Sequence, residues 1–441
     1  MATFLLLLQL AIVLAMIFIG ARVGGIGLGI YGMVGVFALV FIFGLEPGAI
    51  PIDVMLIIVS VITASASLQA AGRLDYMVNV AARFLKKNPS RITFFAPLIT
   101  WLFTFLAGTA HTCYALLPII AEIARKEKVR PERPLGIATI AASLGCTGSP
   151  VSAATAAILS KELLGAEGIG MKEILLITVP ASVIAILVAS LVQIFVGKPL
   201  EEDPEYQRRL REGLLADETG AVNEEQPVNP RARWAVLAFL LGVVMVVMFG
   251  IFPALRPSFG GHPLDMSTTI EVVMMSIAAL ILLVGKADVR KAASGNVFAS
   301  GMNAMASIFG VAWMGSTFFG GNYEVIMGSV EGLFTAYPML FAIPLFLFSI
   351  MLFSQAATAR TLYPVGLAMG VPPIVLLVLF PAVNGYFFLP NYPTSVAAIG
   401  FDRTGTTHIG KYVVNHSFML PGWITTIVSI AIGYLIASFL L

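Results

Sequence analysis

Small polar residues interrupt strongly apolar sequence at two places in this chain, and both places share one spacing. Thr109 lies nine positions before Pro118, and Gln355 lies nine positions before Pro364. Further along each half, a second interruption contains proline, at residues 149–152 and 392–395. Because proline removes a backbone donor and kinks or ends a helix, the pattern predicts broken membrane helices. Apolar helices that break at matching points in two halves are typical of a transporter's binding site.

A helix that begins at such a break directs free backbone N–H groups and a partial positive charge into the site. That arrangement binds anions without a buried cation. Four such helix ends in two related pairs suit a ligand with two anionic ends. The predicted substrate-binding residues are Thr109, Thr112, Ser149, Ser152, Ser354, Gln355, Thr358, Arg360, Thr394 and Ser395. Each Ser or Thr taken singly has an alternative role in helix packing.

Arg360 adds a full positive charge to the second interrupted region. It lies within apolar sequence, where an ionisable side chain is costly and usually faces a cavity or a partner. Because arginine is the natural bidentate partner of a carboxylate, we expect Arg360 to contact an anionic substrate. In an alternative interpretation, Arg360 extends outward to the membrane surface. Counting back from Pro118, the equivalent position is Tyr114, which predicts a chemically asymmetric site.

His111 lies at the first interruption and is a candidate proton-coupling group, because histidine changes charge near neutral pH. A structural, hydrogen-bonded role is the alternative, and the possible coupling ion is H+ or Na+. No cofactor is predicted. Cys113 and Cys146 do not have the spacing of metal ligands, so the sequence identifies no metal site and the metal content stays undetermined. The chain has four histidines and no acidic pair in the interrupted regions, so it is predicted not to be an enzyme.

The composition indicates a membrane protein. The chain has 441 residues, of which 58% are hydrophobic and 11% charged, and its mean hydropathy is +0.93. Apolar runs of about 20 residues recur, which is the length a helix needs to cross a bilayer. They are too continuous for the alternation of a β-barrel, so the predicted fold class is an all-α polytopic protein within the lipid bilayer. A net charge of +2 gives no indication of nucleic-acid binding.

Two apolar halves flank a charged segment. Residues 1–197 and 234–441 are predicted as repeats, each with three transmembrane helices, a re-entrant hairpin and two more transmembrane helices. Positive charge in short loops places both flanks of 92–124 inside, so that this region enters and returns as a hairpin. The second hairpin, 338–370, then opens outward, the polar linker 198–233 is cytoplasmic, and both termini are periplasmic. The halves therefore form an inverted-topology repeat with discontinuous helices at the site.

Other features have simpler interpretations. The predicted spans lie near 3–20, 26–44, 52–71, 135–160, 172–196, 234–253, 268–285, 297–319, 372–399 and 412–439. Amphipathic stretches precede the hairpins at 74–88 and 322–336. The cluster of Gly24, Gly25, Gly27 and Gly29 indicates close helix packing rather than a nucleotide loop. The linker is most simply a solvated connector, with a short surface helix as an alternative.

Long segments resemble one known family nearly from end to end. They are FAPLITWLFTFLAGTAHTCYALLPIIAEIA at 95–124, VRPERPL at 129–135, SPVSAA at 149–154, FSQAATAR at 353–360, LPNYPT at 389–394 and FDRTGTTHIGK at 401–411. These segments resemble the anaerobic C4-dicarboxylate transporters, the Dcu family of bacterial inner membranes. The resemblance implies transport of fumarate, succinate, malate and aspartate, often as exchange of fumarate for succinate. It also implies that hairpin tips and broken helices hold the substrate, and that the chain forms a homodimer.

The resemblance also implies membership of the ion-transporter superfamily, whose members often carry Ser-Asn-Thr and bind sodium at the tips. This chain has Gly-Thr-Ala at 108–110 and Ser-Gln-Ala at 354–356, which leaves proton and sodium coupling open. Arg73 is a second departure, since the family pattern has Gly there. The family allows a carrier that also contacts a membrane sensor kinase. The alternative function is a carrier of another small organic anion.

Overall fold

α-Helices make up most of the described chain. The computed structural model describes residues 2–23, 26–50, 52–71, 82–160, 163–215, 232–352, 354–389, 392–410, 412 and 415–440. The helices are α1 Ala2–Val23, α2 Gly27–Phe37, α3 Ile52–Ala70, α4 Ile92–Ala107, α5 Leu117–Lys126, α6 Glu132–Gly148, α7 Ala153–Ile158, α8 Met171–Gln193, α9 Pro204–Arg211, α10 Ala232–Ile251, α11 Met266–Gly285, α12 Val289–Ser294, α13 Asn296–Ala336, α14 Ala342–Leu352, α15 Gln355–Ala368, α16 Pro373–Val378, α17 Pro393–Phe401 and α18 Met419–Leu440.

Short elements complete the described part of the chain. A π-helical turn, Ala38–Ile42, extends α2. Short 3-10 helices lie at Pro89–Arg91, Ala110–Ala115, Leu200–Glu202, Pro253–Leu255, Pro338–Phe341 and Phe380–Phe387. The strands β1 Ser258–Phe259 and β2 His262–Pro263 form one antiparallel pair, in which Ser258 lies opposite Pro263.

Among the described residues, six helical segments are long and apolar enough to cross a membrane. They are Pro89–Ala107, Glu132–Ile158, Met171–Gln193, Trp234–Ile251, Met266–Gly285 and Met419–Phe439. Shorter apolar helices occur at Phe4–Gly20, Gly27–Ile42, Met55–Ala70, Pro338–Ile350 and Pro373–Phe387. The predicted class of an all-α polytopic membrane protein is therefore confirmed.

The buried core has one large cluster and a second cluster around the first hairpin region. The large cluster joins α3, α7, α11, α13 and α15 through residues such as Ile57, Ile158 and Ala357. The second cluster packs α4, α5 and α6 against Phe346 of α14 and Phe387 of the 3-10 helix Phe380–Phe387. The two halves of the chain therefore share their interior.

The predicted separation of a span at 297–319 from an amphipathic stretch at 322–336 is wrong. Both segments belong to one continuous helix of 41 residues. At 1.5 Å per residue it extends about 60 Å, roughly twice the hydrocarbon thickness of a bilayer. The helix ends at Ala336 because Tyr337 precedes Pro338, and a residue before proline disfavours helical geometry.

The predicted span at 372–399 is also divided. The break predicted at 392–395 lies where α17 begins, and a second interruption, which the sequence did not predict, separates α16 from the 3-10 helix Phe380–Phe387. Three prolines in this region, Pro372, Pro381 and Pro393, account for the interruptions, since each lacks a backbone donor. Several sequence predictions, on Arg73, on residues 74–81 and on 216–231 of the linker, lie outside the described residues.

Glycines allow α2 and α13 to cross at backbone contact. A Cβ atom added to Gly310 of α13 would lie 1.9 Å from the carbonyl oxygen of Gly29. A Cβ added to Gly32 would lie 2.5 Å from the carbonyl carbon of Gly310. These contacts confirm that the glycine cluster has a packing role at Gly29, whereas Gly24 and Gly25 lie outside the described residues.

Gly310→Ala is expected to destabilise the protein, because the new methyl group would overlap the backbone of α2. Overpacking of this kind typically costs about 1–3 kcal/mol. Gly320→Ala is the matched control on the same helix, since its added Cβ meets nothing within 4 Å. That control gains the helix propensity of alanine, up to about 1 kcal/mol. Thermal unfolding in detergent measures both variants, and equal stabilities would contradict the crossing.

Candidate functional site

The first break lies between α4 and α5. Gly108 has φ 68°, in the left-handed region that favours glycine, and its N–H donates to the Thr104 carbonyl at 2.9 Å. A Cβ added to Gly108 would lie 2.5 Å from the Val151 carbonyl oxygen. The Cys146 thiol donates to the Gly108 carbonyl at 3.4 Å. The first break is therefore held against the second one, at 149–152.

The second break separates α6 from α7. The Ser152 hydroxyl accepts from the Thr155 N–H at 3.1 Å and caps α7. The Ser149 hydroxyl accepts from the Val151 N–H at 3.3 Å. Both serines are fully buried, and their hydrogen bonds satisfy backbone donors that the missing helical turn exposes.

The third break lies before α15, and Ser354 caps that helix by accepting from the Ala357 N–H at 3.2 Å. The Thr358 hydroxyl donates back to the Ser354 carbonyl at 2.8 Å. The fourth break lies before α17, where Tyr392 is the N-cap residue and its side chain makes no capping hydrogen bond.

The two halves use the same packing contact beside their breaks. A Cβ added to Gly145 of α6 would lie 2.5 Å from the Trp101 carbonyl oxygen and 2.1 Å from the Thr104 hydroxyl. In the second half, a Cβ added to Gly385 would lie 2.7 Å from the Phe346 carbonyl oxygen and 2.6 Å from the Ser349 hydroxyl. In each half, a glycine of the broken segment therefore packs against two groups of a neighbouring helix: a backbone carbonyl, and the side-chain hydroxyl of the residue three positions after that carbonyl.

An amide pair connects the breaks of the two halves. The Gln355 amide nitrogen donates to the Ser143 carbonyl at 2.8 Å and to Asn384 Oδ1 at 2.5 Å, and it lies 3.2 Å from the Tyr386 hydroxyl. The Asn384 amide nitrogen in turn donates to the Thr147 hydroxyl at 2.8 Å. All these residues are buried, so the network joins α6 and α15 inside the protein.

The aromatic ring of Tyr386 extends this network to the fourth break. Its centroid lies 4.2 Å from that of Tyr392, which caps α17. Thr394 and Ser395 follow in the first turn of α17, and each is 1% exposed. The residues around all four breaks therefore belong to one contiguous buried region.

Seven of the ten predicted substrate-binding residues fall into two groups. In the first group the hydroxyl makes a local bond near its own helix end: Thr112, which donates to the Thr109 carbonyl, and Ser149, Ser152, Ser354 and Thr358. In the second group a buried polar atom has no hydrogen-bond partner among the described residues, namely Gln355 Oε1 and Thr394 Oγ1. Such an atom costs about 1–3 kcal/mol unless a ligand or water satisfies it. The side chain of His111 lies outside what the structure describes.

Arg360 lies inside the protein. Its side chain is buried, and its Nη1 donates to the Ser160 hydroxyl at 3.5 Å, so that α15 contacts the segment after α7. This burial disagrees with the alternative in which Arg360 extends outward to the membrane surface. The arginine thus connects the second hairpin region with the broken segment of the first half.

Sequence reasoning missed Asn384, Tyr386 and Thr147 as members of the site. The sequence prediction assigns a role to the break at 392–395 but none to Asn384 in the same span, although a buried amide in a membrane segment needs a partner. Among the described residues, no three His, Cys, Asp or Glu side chains converge on one point.

A second polar cluster joins the far ends of the broken helices. Arg130 pairs with Glu132 at 2.6 Å and with Asp203 at 2.5 Å. Glu132 begins α6, and its carboxylate accepts from the Ser417 hydroxyl at 2.7 Å. Asp402, at the end of α17, accepts from the Thr406 hydroxyl at 2.9 Å, and the same hydroxyl accepts from the Glu132 N–H at 3.2 Å.

The beginning of the linker forms a short helix, α9, as in the alternative interpretation, and it is docked rather than simply solvated. Asp203 also caps α9 by accepting from two backbone N–H groups at 3.0 Å, and Arg209 of α9 donates to the Arg403 carbonyl at 2.9 Å. Burial raises the pKa of Asp203, but hydrogen bonds from Tyr206 N–H and Arg130 more than offset it, so that its pKa is lowered. The helix α9 thus bridges α6 and the segment after α17.

Asp203→Asn is expected to loosen α9 while keeping its cap, because asparagine caps helices as well as aspartate does. Loss of the charge-assisted bond to Arg130 is expected to cost about 1.5–3 kcal/mol. Hydrogen exchange of the backbone amides of 200–212 measures this loss, with Glu212→Gln as control, since solvent screens the exposed Arg208–Glu212 pair. The pKa of Asp203 is lower in the folded protein than in the unfolded chain. The stability difference between Asp203→Asn and the unaltered protein is therefore complete above the unfolded pKa of about 3.9, and it disappears as the pH falls through the folded pKa. If the backbone amides of 200–212 exchange equally slowly in both variants, the docking of α9 through Asp203 and Arg130 is contradicted.

Comparison with known proteins identifies the family. A family model described as anaerobic C4-dicarboxylate membrane transporter matches residues 5–441. The anaerobic C4-dicarboxylate transporter DcuB of Escherichia coli O6:H1 is 41% identical over 98% of this chain and 98% of its own length. The C4-dicarboxylate transporter DcuA of Wolinella succinogenes is 39% identical, and DcuA of Escherichia coli K12 is 41% identical, each over 99% of this chain and 100% of the relative.

These relatives are transporters and not enzymes, which agrees with the expectation from the sequence. The segments that carry the resemblance lie within the matched range, and the apolar helices fit a multi-pass membrane protein. Because the match spans the breaks, the amide pair and both apolar halves, the chain belongs to the anaerobic C4-dicarboxylate membrane transporter family.

Proposed function

We propose that the chain is a secondary transporter of C4-dicarboxylates that exchanges one dicarboxylate for another by alternating access. The observation that carries this proposal is the buried amide pair Gln355–Asn384, which joins the broken helices of both halves. Irregular backbone at membrane depth is tolerated only where it is buried in protein or lines a cavity. Membership of a family whose curated relatives are named C4-dicarboxylate transporters supports the substrate class.

The chemistry of the site suits a doubly charged anion. Helix N-termini at the breaks supply N–H donors, and Arg360 supplies one full positive charge. Two carboxylates of a C4 substrate would occupy the two related halves, with Arg360 on one side only. Thr109, Thr112, Ser149, Ser152, Ser354, Thr358, Thr394 and Ser395 are proposed to line this region, some of them by holding the helix ends in place.

The proposed architecture is an inverted repeat of 1–197 and 234–441, with hairpins at 92–124 and 338–370. The repeated contact of Gly145 and Gly385 with a carbonyl and a hydroxyl supports it, because equivalent folds produce equivalent close contacts. Positive residues in the short loops support a cytoplasmic linker and periplasmic termini in the bacterial inner membrane.

The proposed substrates are fumarate, succinate, malate and aspartate. A homodimer, a membrane sensor kinase as partner, and coupling to H+ through His111 or to Na+ are further proposals that rest on the family resemblance. Each is open to direct measurement in purified protein.

Counterflow in proteoliposomes tests exchange. External succinate is expected to accelerate the release of trapped labelled fumarate, because a loaded carrier returns faster than an empty one. Measurements with and without a sodium or pH gradient identify the coupling ion. If external succinate does not accelerate fumarate release by folded protein, exchange is contradicted. If monocarboxylates, or amino acids without a second carboxylate, accelerate the release, the alternative carrier of another small anion is supported.

Arg360→Ala is expected to weaken dicarboxylate binding at least about tenfold, since a charge-assisted pair with a carboxylate contributes about 1.5–3 kcal/mol. Arg360→Lys is expected to recover part of the affinity, because lysine keeps the charge and loses the bidentate geometry. Arg256→Ala, in the loop before α11, is the control with normal affinity. Unchanged binding by folded Arg360→Ala protein would remove Arg360 from the site.

A further inference from the structure

The orientation of the Gln355 side-chain amide follows from two backbone carbonyls. The Asn384 amide nitrogen donates to the Pro381 carbonyl at 3.3 Å, so Oδ1 of Asn384 is the acceptor that faces Gln355. The Gln355 amide nitrogen also faces the Ser143 carbonyl at 2.8 Å. Because carbonyl oxygens only accept, a flipped Gln355 would place oxygen against two acceptors. The amide nitrogen therefore faces the network, and Oε1 faces away from it.

Gln355 Oε1 is thus a buried acceptor that the network does not satisfy. Gln355 is 7% exposed, and its Oε1 has no hydrogen-bond partner among the described residues. Carboxylates are acceptors as well, so this oxygen does not bind a substrate carboxylate directly. A donor from a ligand, such as a hydroxyl or an ammonium group, would satisfy it.

The same residue opens helix α15. Its backbone N–H is one of the first N–H groups of that helix, which have no acceptor within the helix and favour an anion. The Ser354 hydroxyl already accepts from the Ala357 N–H, so it does not serve as the acceptor for the Gln355 N–H. A carboxylate bound at the helix start would therefore lie near a side-chain oxygen that lacks a donor among the described residues. The molecules that offer both groups on neighbouring atoms are 2-hydroxy and 2-amino carboxylates.

We propose that Gln355 determines substrate preference within the dicarboxylates, because its Oε1 accepts a hydrogen bond from a hydroxyl or ammonium group at C2. This inference rests on the proposed dicarboxylate site. Malate and aspartate carry such a donor, whereas succinate and fumarate do not. The Gln355–Asn384–Thr147 network holds the amide so that its oxygen remains available.

Competition by matched substrates on the unaltered protein tests the preference. Malate and 2-methylsuccinate have nearly the same size, but only malate carries a donor at C2. Malate is expected to compete about two- to tenfold better, and aspartate, with a charged donor, about ten- to a hundredfold better than 2-methylsuccinate. A single acceptor in a fixed position also predicts that one enantiomer of malate binds better. Equal competition by malate, its enantiomer and 2-methylsuccinate would overturn the proposal.

A variant pair separates the oxygen from the network. Gln355→Met keeps the length of the side chain and removes Oε1, so the preference for malate over 2-methylsuccinate is expected to disappear. Gln9→Met is the matched control, because it makes the same change at a buried glutamine of α1 whose Oε1 accepts from Asn322 outside the network; its preference ratio is expected to stay unchanged. A uniform loss of affinity in Gln355→Met, with an altered sodium dependence and an intact preference ratio, would assign Oε1 to an ion and overturn the proposal.

The test also distinguishes this inference from the proposed function. If the unaltered protein exchanges succinate for fumarate but shows no preference for a donor at C2, the inference fails and dicarboxylate transport stands. If no dicarboxylate is exchanged or bound, the proposed function itself fails. Binding measured by thermal stabilisation in detergent gives the second readout, since it needs no transport.

Discussion

The hydrogen bond between Gln355 and Asn384 is the contact on which the arrangement of the breaks depends. A broken membrane helix leaves backbone and side-chain polar groups that lipid cannot satisfy. The amide pair satisfies several of them at once, because Gln355 reaches the Ser143 carbonyl in one half and Asn384 reaches the Thr147 hydroxyl. Without it, the breaks of α6 and α15 would have buried donors and acceptors with no common partner.

Glycine contacts determine how closely the surrounding helices approach. Gly145 and Gly385 place carbonyl and hydroxyl groups of α4 and α14 against the broken segments, and Gly108 places the first break on the Val151 carbonyl. In a bilayer, close packing of small residues replaces much of the hydrophobic driving force between helices. The resulting frame is closely packed near the breaks.

The ionic cluster around Arg130 connects this frame to the linker. It joins the start of α6, the cap of α9 and the segment between α17 and α18. Both α6 and α17 carry a break at their other end, so the cluster contacts the same helices as the site. A change in the relative position of these helices would have to rearrange charged pairs that are mostly buried, which is energetically costly.

Local sequence was sufficient for the class of protein and for the positions of the breaks. Apolar length predicts membrane helices, proline and glycine predict where they end, and Arg360 is recognisable because a charge is rare in such a segment. The sequence favours an inward Arg360 and leaves the outward alternative open, whereas the burial of Arg360 and the continuity of α13 were decided in the folded structure.

The division of labour among the polar residues was decided only in the tertiary structure. Ser152 and Ser354 look equivalent to Thr394 in sequence, yet the serines cap their own helices and Thr394 Oγ1 has no partner among the described residues. Asn384 looks like an isolated polar residue until Gln355, 29 positions away, meets it. The physical reason is that hydropathy and helix ends are local properties, whereas the satisfaction of a buried hydrogen bond depends on which distant groups the fold brings together.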